Sequence, residues 1–400
     1  MRLSALASSL AFFGIVASTT AGLPAVCPWN PRRNVQEPTC DSSYQTFYRT
    51  PLGHAIDAFA RDIGGWEGFD NCTKGACIFS NARIGGGLTL VTSKRNARIV
   101  AGFPAPSSSN ADTEPFHEAV VPGKGVGLVA DRLIRQGEIV MTKTPAMMVQ
   151  AAAHVGLEAE DRTALYDAAV DKLPGPRYDA FMRQMGRDVY DKIETNCFQV
   201  QIDGANKFGT HLGCYPEVSR FNHDCRPNLN YRITNATHTT VAVRDIQPGE
   251  ELSISYIGML YPRAERQKLL RHWGFNCTCS HCAVPKREAA ASDARIAKIG
   301  ILEKALENFN ETVVTAETGA RLVELYEAER LDVYIGQAYT RAALNYALFG
   351  EEAKARQYAR IAAEAMEREF GPQSGDARAM RVLAENPERH WTWGKKRRSK

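Results

Sequence analysis

Arg220-Phe221-Asn222-His223-Asp224-Cys225-Arg226-Pro227-Asn228 is a dense polar stretch in an otherwise apolar region. Further on, Gly249-Glu250-Glu251-Leu252-Ser253-Ile254-Ser255-Tyr256 opens with a turn and runs out as an alternating strand ending at Tyr256, next to Ile257-Gly258. Taken singly, each has a plain structural explanation. The first suits a turn held by Asn and Asp side chains. The second suits a core tyrosine whose hydroxyl finds a partner. A third segment, Gly123-Lys124-Gly125-Val126-Gly127-Leu128, permits close backbone approach to a ligand because no Cβ intervenes, although a tight hairpin turn explains it too. It is not the dinucleotide fingerprint, since the glycine spacing differs and no helix opens after it.

The fourth segment is Trp273-Gly274-Phe275-Asn276-Cys277-Thr278-Cys279-Ser280-His281-Cys282. Cysteines one residue apart cannot easily bridge each other, yet both can reach one metal. Three thiolates need a fourth ligand to close a tetrahedral zinc site. His281 lies inside the cluster and Cys225 lies 52 residues upstream of Cys277; spacing leaves both open. The competing explanation is oxidation of these cysteines with Cys197 and Cys214.

The full chain of 400 residues carries 49 basic and 45 acidic side chains, a net charge of +4. Five of the positive charges fall in residues 395–400. The body is therefore close to neutral, and this charge balance does not support a broad nucleic-acid-binding face. With 44% hydrophobic and 24% charged residues, ordinary cores can form, and wholesale disorder, collagen and coiled coil are excluded. No apolar run approaches the ~20 residues of a membrane-spanning helix.

Residues 1–21 read as a secretory signal: Arg2, an apolar run over 3–16, then small residues at Thr19-Thr20-Ala21. Secretion suits Cys27, Cys40, Cys72 and Cys77 as two disulfides, with every pairing open. Sequons stand at Asn71, Asn235, Asn276 and Asn310. Residues 22–115 read as a loose leader with a linker over 105–114. Strand-like runs follow at 118–121 and 126–130, then 139–141, with 145–149 irregular or extended. Helical spacing over 157–190 is broken at Pro174-Gly175-Pro176. A hairpin is expected over 230–234 and 239–243. After Cys282 the composition shifts to Ala, Glu, Arg and Leu, and amphipathic helices are expected at 291–309, 316–330, 333–349 and 351–370. The tail, 373–400, reads as frayed and basic.

Together and in this order, the four segments resemble the SET-domain protein methyltransferases over 116–283. Tyr215-Pro216-Glu217-Val218-Ser219-Arg220-Phe221 and the stretch from Tyr261-Pro262-Arg263 to Phe275 are most similar to the fungal and SET-and-MYND subgroup. No MYND-type cysteine and histidine array interrupts 130–210, and Asp224 stands where that subgroup often has serine. The resemblance implies an α+β chain: a SET domain over 116–258 with a helical insert at 150–197, a cysteine-rich post-SET zinc region over 259–285, and a helical, tetratricopeptide-like domain over 286–372. It implies a pseudoknot in which the Asn222 segment threads beneath the loop leading to Tyr256, and it makes Cys225 the fourth zinc ligand beside Cys277, Cys279 and Cys282.

The same resemblance implies S-adenosylmethionine as cofactor and a protein lysine ε-amine as acceptor. Tyr256 is the expected catalytic residue. Lys124, Gly125, Gly127, Asn222, His223, Tyr256 and Phe275 are expected to bind the cofactor, with Phe275 on the adenine. A monomer is expected, with no nucleic-acid partner. Two other classes compete: a SET-like scaffold without activity, and a secreted disulfide-rich binding protein. The signal sequence points to secretion, while the family chemistry and Lys395-Lys396-Arg397-Arg398 suit cytosol or nucleus.

Overall fold

The computed structural model describes residues 65–68, 72–104, 114–204, 206–309 and 311–396. The expected signal sequence, Cys27, Cys40, the sequons at Asn71 and Asn310, and Arg397 and Arg398 of the basic tail lie outside the described residues. Within the stretch read as a loose leader, residues 72–104 are regular structure, and that expectation is corrected. β1 (Cys72–Thr73), β2 (Ala76–Asn81) and β3 (Leu88–Thr92) pair antiparallel, and α1 (Lys94–Ala101) follows, its first turn capped by Ser93 Oγ, which accepts from Asn96 N. Every residue of β2 and β3 is buried, so neither shows the alternation of a half-exposed strand.

β4 (Phe116–Val121) and β5 (Gly125–Ala130) form the expected hairpin, with Gly123 and Gly125 at φ 76° and 80°, where side chains with a Cβ are strained. β6 (Ile139–Lys143) and β7 (Met147–Gln150) come next. Of the two conformations expected at 145–149, irregular or extended, the chain takes the extended one from Met147 onward as β7, a fully buried interior strand between β3 and β9 (Thr210–Cys214).

With β8 (Cys197–Gln201) at its far edge, the first sheet runs β1-β2-β3-β7-β9-β8. Its faces divide the chain. Ile78, Val91 and Met147 point toward Tyr166, Phe181 and Ile193 of the insert. Phe79, Leu90 and Met148 point the other way, onto Leu128, Phe221 and Leu252. Each large apolar side chain so buried contributes about 1.5–3 kcal/mol. The insert folds as α2 (Ala151–Gly156), α3 (Ala159–Val170), α4 (Gly175–Met182) and α5 (Val189–Asn196), broken at Pro174 as expected. Two cross-strand neighbours are disulfides, Cys72–Cys77 and Cys197–Cys214. Cys197 and Cys214 are therefore not partners of the four later cysteines.

β10 (Asn222–His223), β11 (Leu229–Thr234), β12 (Thr237–Ala242) and β13 (Glu251–Ile254) complete two further sheets, β10-β13-β5-β4 and β11-β12-β6. α6 (Arg263–Leu270) leads into the cysteine segment. The helical end holds α7 (Lys286–Glu307), α8 (Thr318–Ala328), α9 (Ile335–Phe349), α10 (Glu352–Phe370) and α11 (Gly375–Glu385). The last corrects the frayed tail: Ala377, Met380, Leu383 and Ala384 of α11 are buried, and Met380, Leu383 and Ala384 pack with Ala359 and Ala363 of α10. No helix among the described residues is long and apolar enough to cross a membrane.

Candidate active site

β10 lies parallel to β13, Asn222 opposite Ser253 and His223 opposite Ile254. This register brings the two polar motifs together. Tyr256 N donates to His223 Nδ1 at 3.1 Å, so that nitrogen is the acceptor and Nε2 carries the ring proton, 3.3 Å from Cys225 Sγ. Burial holds the imidazole down at about 3, and it stays neutral. Tyr256 Oη donates to Phe221 O at 2.7 Å. Burial, with Glu251 nearby, pushes the phenol above its ordinary range. Asn228 braces the framework. Its Oδ1 accepts from Ser253 N at 2.9 Å and its Nδ2 donates to Glu251 O at 2.9 Å. The motif's second asparagine thus pins β13 in register.

Glu251 was not singled out by the sequence. Its carboxylate accepts from Lys124 Nζ at 2.5 Å and from Asn222 Nδ2 at 3.0 Å, joining the glycine turn to β10. Gly127 serves the same junction. A Cβ there would stand 2.6 Å from Asn222 Nδ2.

A cavity of about 960 Å³ opens on these residues. Lys124, Gly125, Asn222, His223, Tyr256 and Phe275 all line it; Gly127 does not. Phe275 stands 6.2 Å from the His223 ring and 6.4 Å from Tyr256, centroid to centroid. Trp273, a second wall residue that sequence reading passed over, lies 5.4 Å from the Tyr256 ring and donates through Nε1 to Thr195 O in the insert. Its signal was its place two residues before Phe275. Cavities of this size that are walled by aromatics and a few convergent polar groups suit a small-molecule ligand.

Behind Phe275, the sulfurs of Cys225, Cys277, Cys279 and Cys282 all lie within 4.8 Å of one another, buried and not bonded to each other. Two of the separations are 3.9 Å (Cys225–Cys277) and 3.5 Å (Cys225–Cys282). Four sulfurs at ~2.3 Å from one metal stand about 3.8 Å apart, so the donor set fits tetrahedral zinc. Hydrogen bonds from Cys225 and Cys277 bring Cys279 down to about 5. Arg266, itself buried, reaches Cys282 Sγ. His281 faces elsewhere: its Nε2 is 3.2 Å from a Glu329 oxygen and 3.1 Å from Ser292 Oγ. Glu329 also pairs with Arg226 Nη2 at 2.8 Å and Arg295 Nε at 2.6 Å.

Residues 125–257 match the family model described as SET domain. This stretch is a SET domain. Its relatives are lysine methyltransferases of the fungal and SET-and-MYND type. Histone-lysine N-methyltransferase set5 of Schizosaccharomyces pombe is 33% identical over 183 residues, 44% of this chain and 53% of that one. N-lysine methyltransferase SMYD2-B of Danio rerio is 28% identical over 48% of this chain and 46% of its own. Human histone-lysine N-methyltransferase SMYD3 is 35% identical over 130 residues, 32% of this chain and 28% of its own. The chain thus spans about half the length of the first relatives it matches, or less. The SET domain contributes the glycine turn, β10 and β13 to the site; the cysteine segment and the wall residues Trp273 and Phe275 follow it.

Proposed function

We propose that the chain transfers a methyl group from S-adenosylmethionine to a lysine ε-amine of a protein. The observation that carries this reading is the convergence of Asn222, His223, Tyr256 and Phe275 on one cavity, reached from two strands and a cysteine-held loop. Gly123 and Gly125 line that cavity with open space where a Cβ would stand, which leaves the backbone free to approach a ligand. When bound, S-adenosylmethionine supplies a methyl group on a positively charged sulfonium. The glycine backbone and Lys124 would hold its amino-acid end, Asn222 and His223 would bind it by side chain and main chain, and Phe275 would stack on the adenine.

Tyr256 would orient the acceptor. Its hydroxyl proton is committed to Phe221 O, so the oxygen's lone pairs remain to receive an amine N–H. The walls formed by Tyr256, Trp273 and Phe275 withdraw a lysine side chain from water, which lowers its pKa and favours the neutral amine needed for attack. Displacement at the methyl carbon is in line, so alignment supplies much of the acceleration. The parallel pairing of β10 with β13, the strand that leads to Tyr256, supports the pseudoknot reading. Zinc on Cys225, Cys277, Cys279 and Cys282 would fix the Phe275 loop against β10.

The test pairs calorimetric titration of S-adenosylmethionine with radiolabelled methyl transfer to a protein extract. The native chain binds and labels lysine. Tyr256→Phe binds normally and loses most labelling, because only the hydroxyl is removed. A native chain that neither binds nor labels overturns the reading; equal labelling by Tyr256→Phe overturns the role of Tyr256.

A further inference from the structure

We propose that Arg232 is the recognition point for an aspartate or glutamate that flanks the target lysine in the protein substrate. The inference rests on the lysine-methylation reading above and names the substrate class of the same cavity.

Arg232 stands on β11 and lines the cavity beside Tyr231 and Ile233. The buried arginines among the described residues have carboxylate or carbonyl partners. Arg226 pairs with Glu329, Arg177 with Glu217 and Arg341 with Glu307, while Arg266 donates to Tyr261 O. The half-buried Arg232 guanidinium has no hydrogen bond or ion pair among the described residues. It is partly withdrawn from water, and burial lowers its pKa from the ordinary value. A guanidinium does not lose its proton in a protein, so an anion entering the cavity meets a charged, bidentate donor that water hydrates only in part.

The fold leaves room for the group. Gly371, at φ +91°, leaves room for the arginine stem: a Cβ there would stand 2.9 Å from Arg232 Nε and 3.4 Å from Cδ. Its neighbour Phe370, 37% exposed, belongs to the cavity wall, as does Tyr334. Arg232 therefore sits where the end of α10 meets β11, on the part of the wall supplied by the helical end rather than by the glycine turn.

The charge of the wall favours the same class of ligand. Its cations are Lys124, Arg183, Arg220 and Arg232, and its one acid among the described residues is Glu369. Lys124 is neutralised by Glu251, and Arg220 lies 3.5 Å from Glu118. Glu369 offsets little: burial pushes its carboxyl up to about 8, with Gln337 Nε2 donating to it at 3.4 Å. An acidic neighbour of the target lysine complements this field, and a basic one is repelled.

The test reads binding, so that it does not depend on turnover. Fluorescent peptides of about twelve residues, with one central lysine, carry Glu, Gln or Lys at each flanking position in turn. Anisotropy is measured with the full chain saturated with S-adenosylhomocysteine, at low salt. Glutamate at one or more flanks is expected to tighten binding about fivefold or more over glutamine. Arg232→Gln erases that difference, and Arg232→Glu moves the preference to the lysine-flanked peptide. Calorimetry with S-adenosylmethionine on each variant reports that the cofactor site is intact. Absence of a glutamate preference in the native chain overturns the inference, as does its survival in Arg232→Gln. Failure of a cofactor-competent chain to bind any peptide also overturns it. A native chain that binds no cofactor fails the methylation reading itself, and the inference falls with it.

Discussion

A Cβ at position 127 would stand 2.6 Å from Asn222 Nδ2, 2.9 Å from Val121 Cγ2 and 3.3 Å from Glu251 Oε1. Those contacts say why the third glycine of the turn matters although it does not touch the cavity. Gly127→Ala pushes Asn222 off Glu251, so it should reproduce the loss expected for Asn222→Ala, about 1–3 kcal/mol of cofactor affinity. Both changes act on one side chain, so the double variant should bind no worse than the weaker single one, a non-additivity that calorimetry reads directly. Additive losses would mean that Gly127 and Asn222 contribute separately. The same residues mark how far sequence reading reached. Asn222, His223 and Tyr256 were legible because a short polar motif and a strand-ending tyrosine stand out against apolar neighbours. Glu251 was not: its partner Lys124 lies 127 positions away, and one more Glu beside Glu250 in a turn carries no local mark.

Glu329 shows the same blindness among secondary elements. It follows α8 and ties that helix to Ser292 and Arg295 of α7, to His281 of the cysteine segment and to Arg226 beside Cys225. Burial alone would raise its pKa, but hydrogen bonds from His281, Ser292, Arg226 and Arg295 bring it down to about 2. A carboxylate depressed on folding stabilises the fold above its unfolded value, near 4.5, and that stability is lost as pH falls toward 2. Its share is about 3 kcal/mol. Glu329→Gln should lower stability at pH 7 by about 3–5 kcal/mol, because Arg226 is left buried without its counter-ion. It should also flatten the acid limb between pH 4.5 and 2; urea melts across that range decide it. α11 offers a simpler contrast. Leu383→Ala should cost about 2–5 kcal/mol, since the side chain is buried against α10, whereas Val382→Ala, at a site 59% exposed, should stay within about 0.5 kcal/mol. Thermal melts of both variants test whether α11 is part of the fold. Helices α7 to α10 were legible from their apolar spacing. α11 was hidden by charged residues next to Gly371-Pro372, and β2, β3 and β7 by burial on both faces, which removes the alternation by which strands are read.

At the scale of the whole molecule, the described cysteines separate into two chemistries. Cys72–Cys77 and Cys197–Cys214 are closed across neighbouring strands, while Cys225, Cys277, Cys279 and Cys282 converge unbonded from two segments far apart in sequence. The four join the cysteine segment to β10 through Cys225, which stands two residues after His223, and His223 Nδ1 in turn holds the Tyr256 backbone. A metal at the four sulfurs would thus be connected to the cavity through a short stretch of chain and one hydrogen bond. Metal analysis should return one zinc per chain in protein purified without chelator. Removing it with a strong chelator should lower the melting temperature and the S-adenosylmethionine affinity together, because the Phe275 wall and the His223 strand lose their common anchor. Adding zinc back under reducing conditions should restore both. Mild reduction alone should leave zinc bound, since among the described cysteines it opens only Cys72–Cys77 and Cys197–Cys214, and peptide mapping before and after reports which cysteines had been paired. Protein that contains no zinc and shows bonds among Cys225, Cys277, Cys279 and Cys282 would remove the metal from this account. Loss of melting temperature with unchanged cofactor affinity would keep the zinc but make it a clamp on the helical end, through His281, Arg226 and Glu329, rather than a support for the cavity.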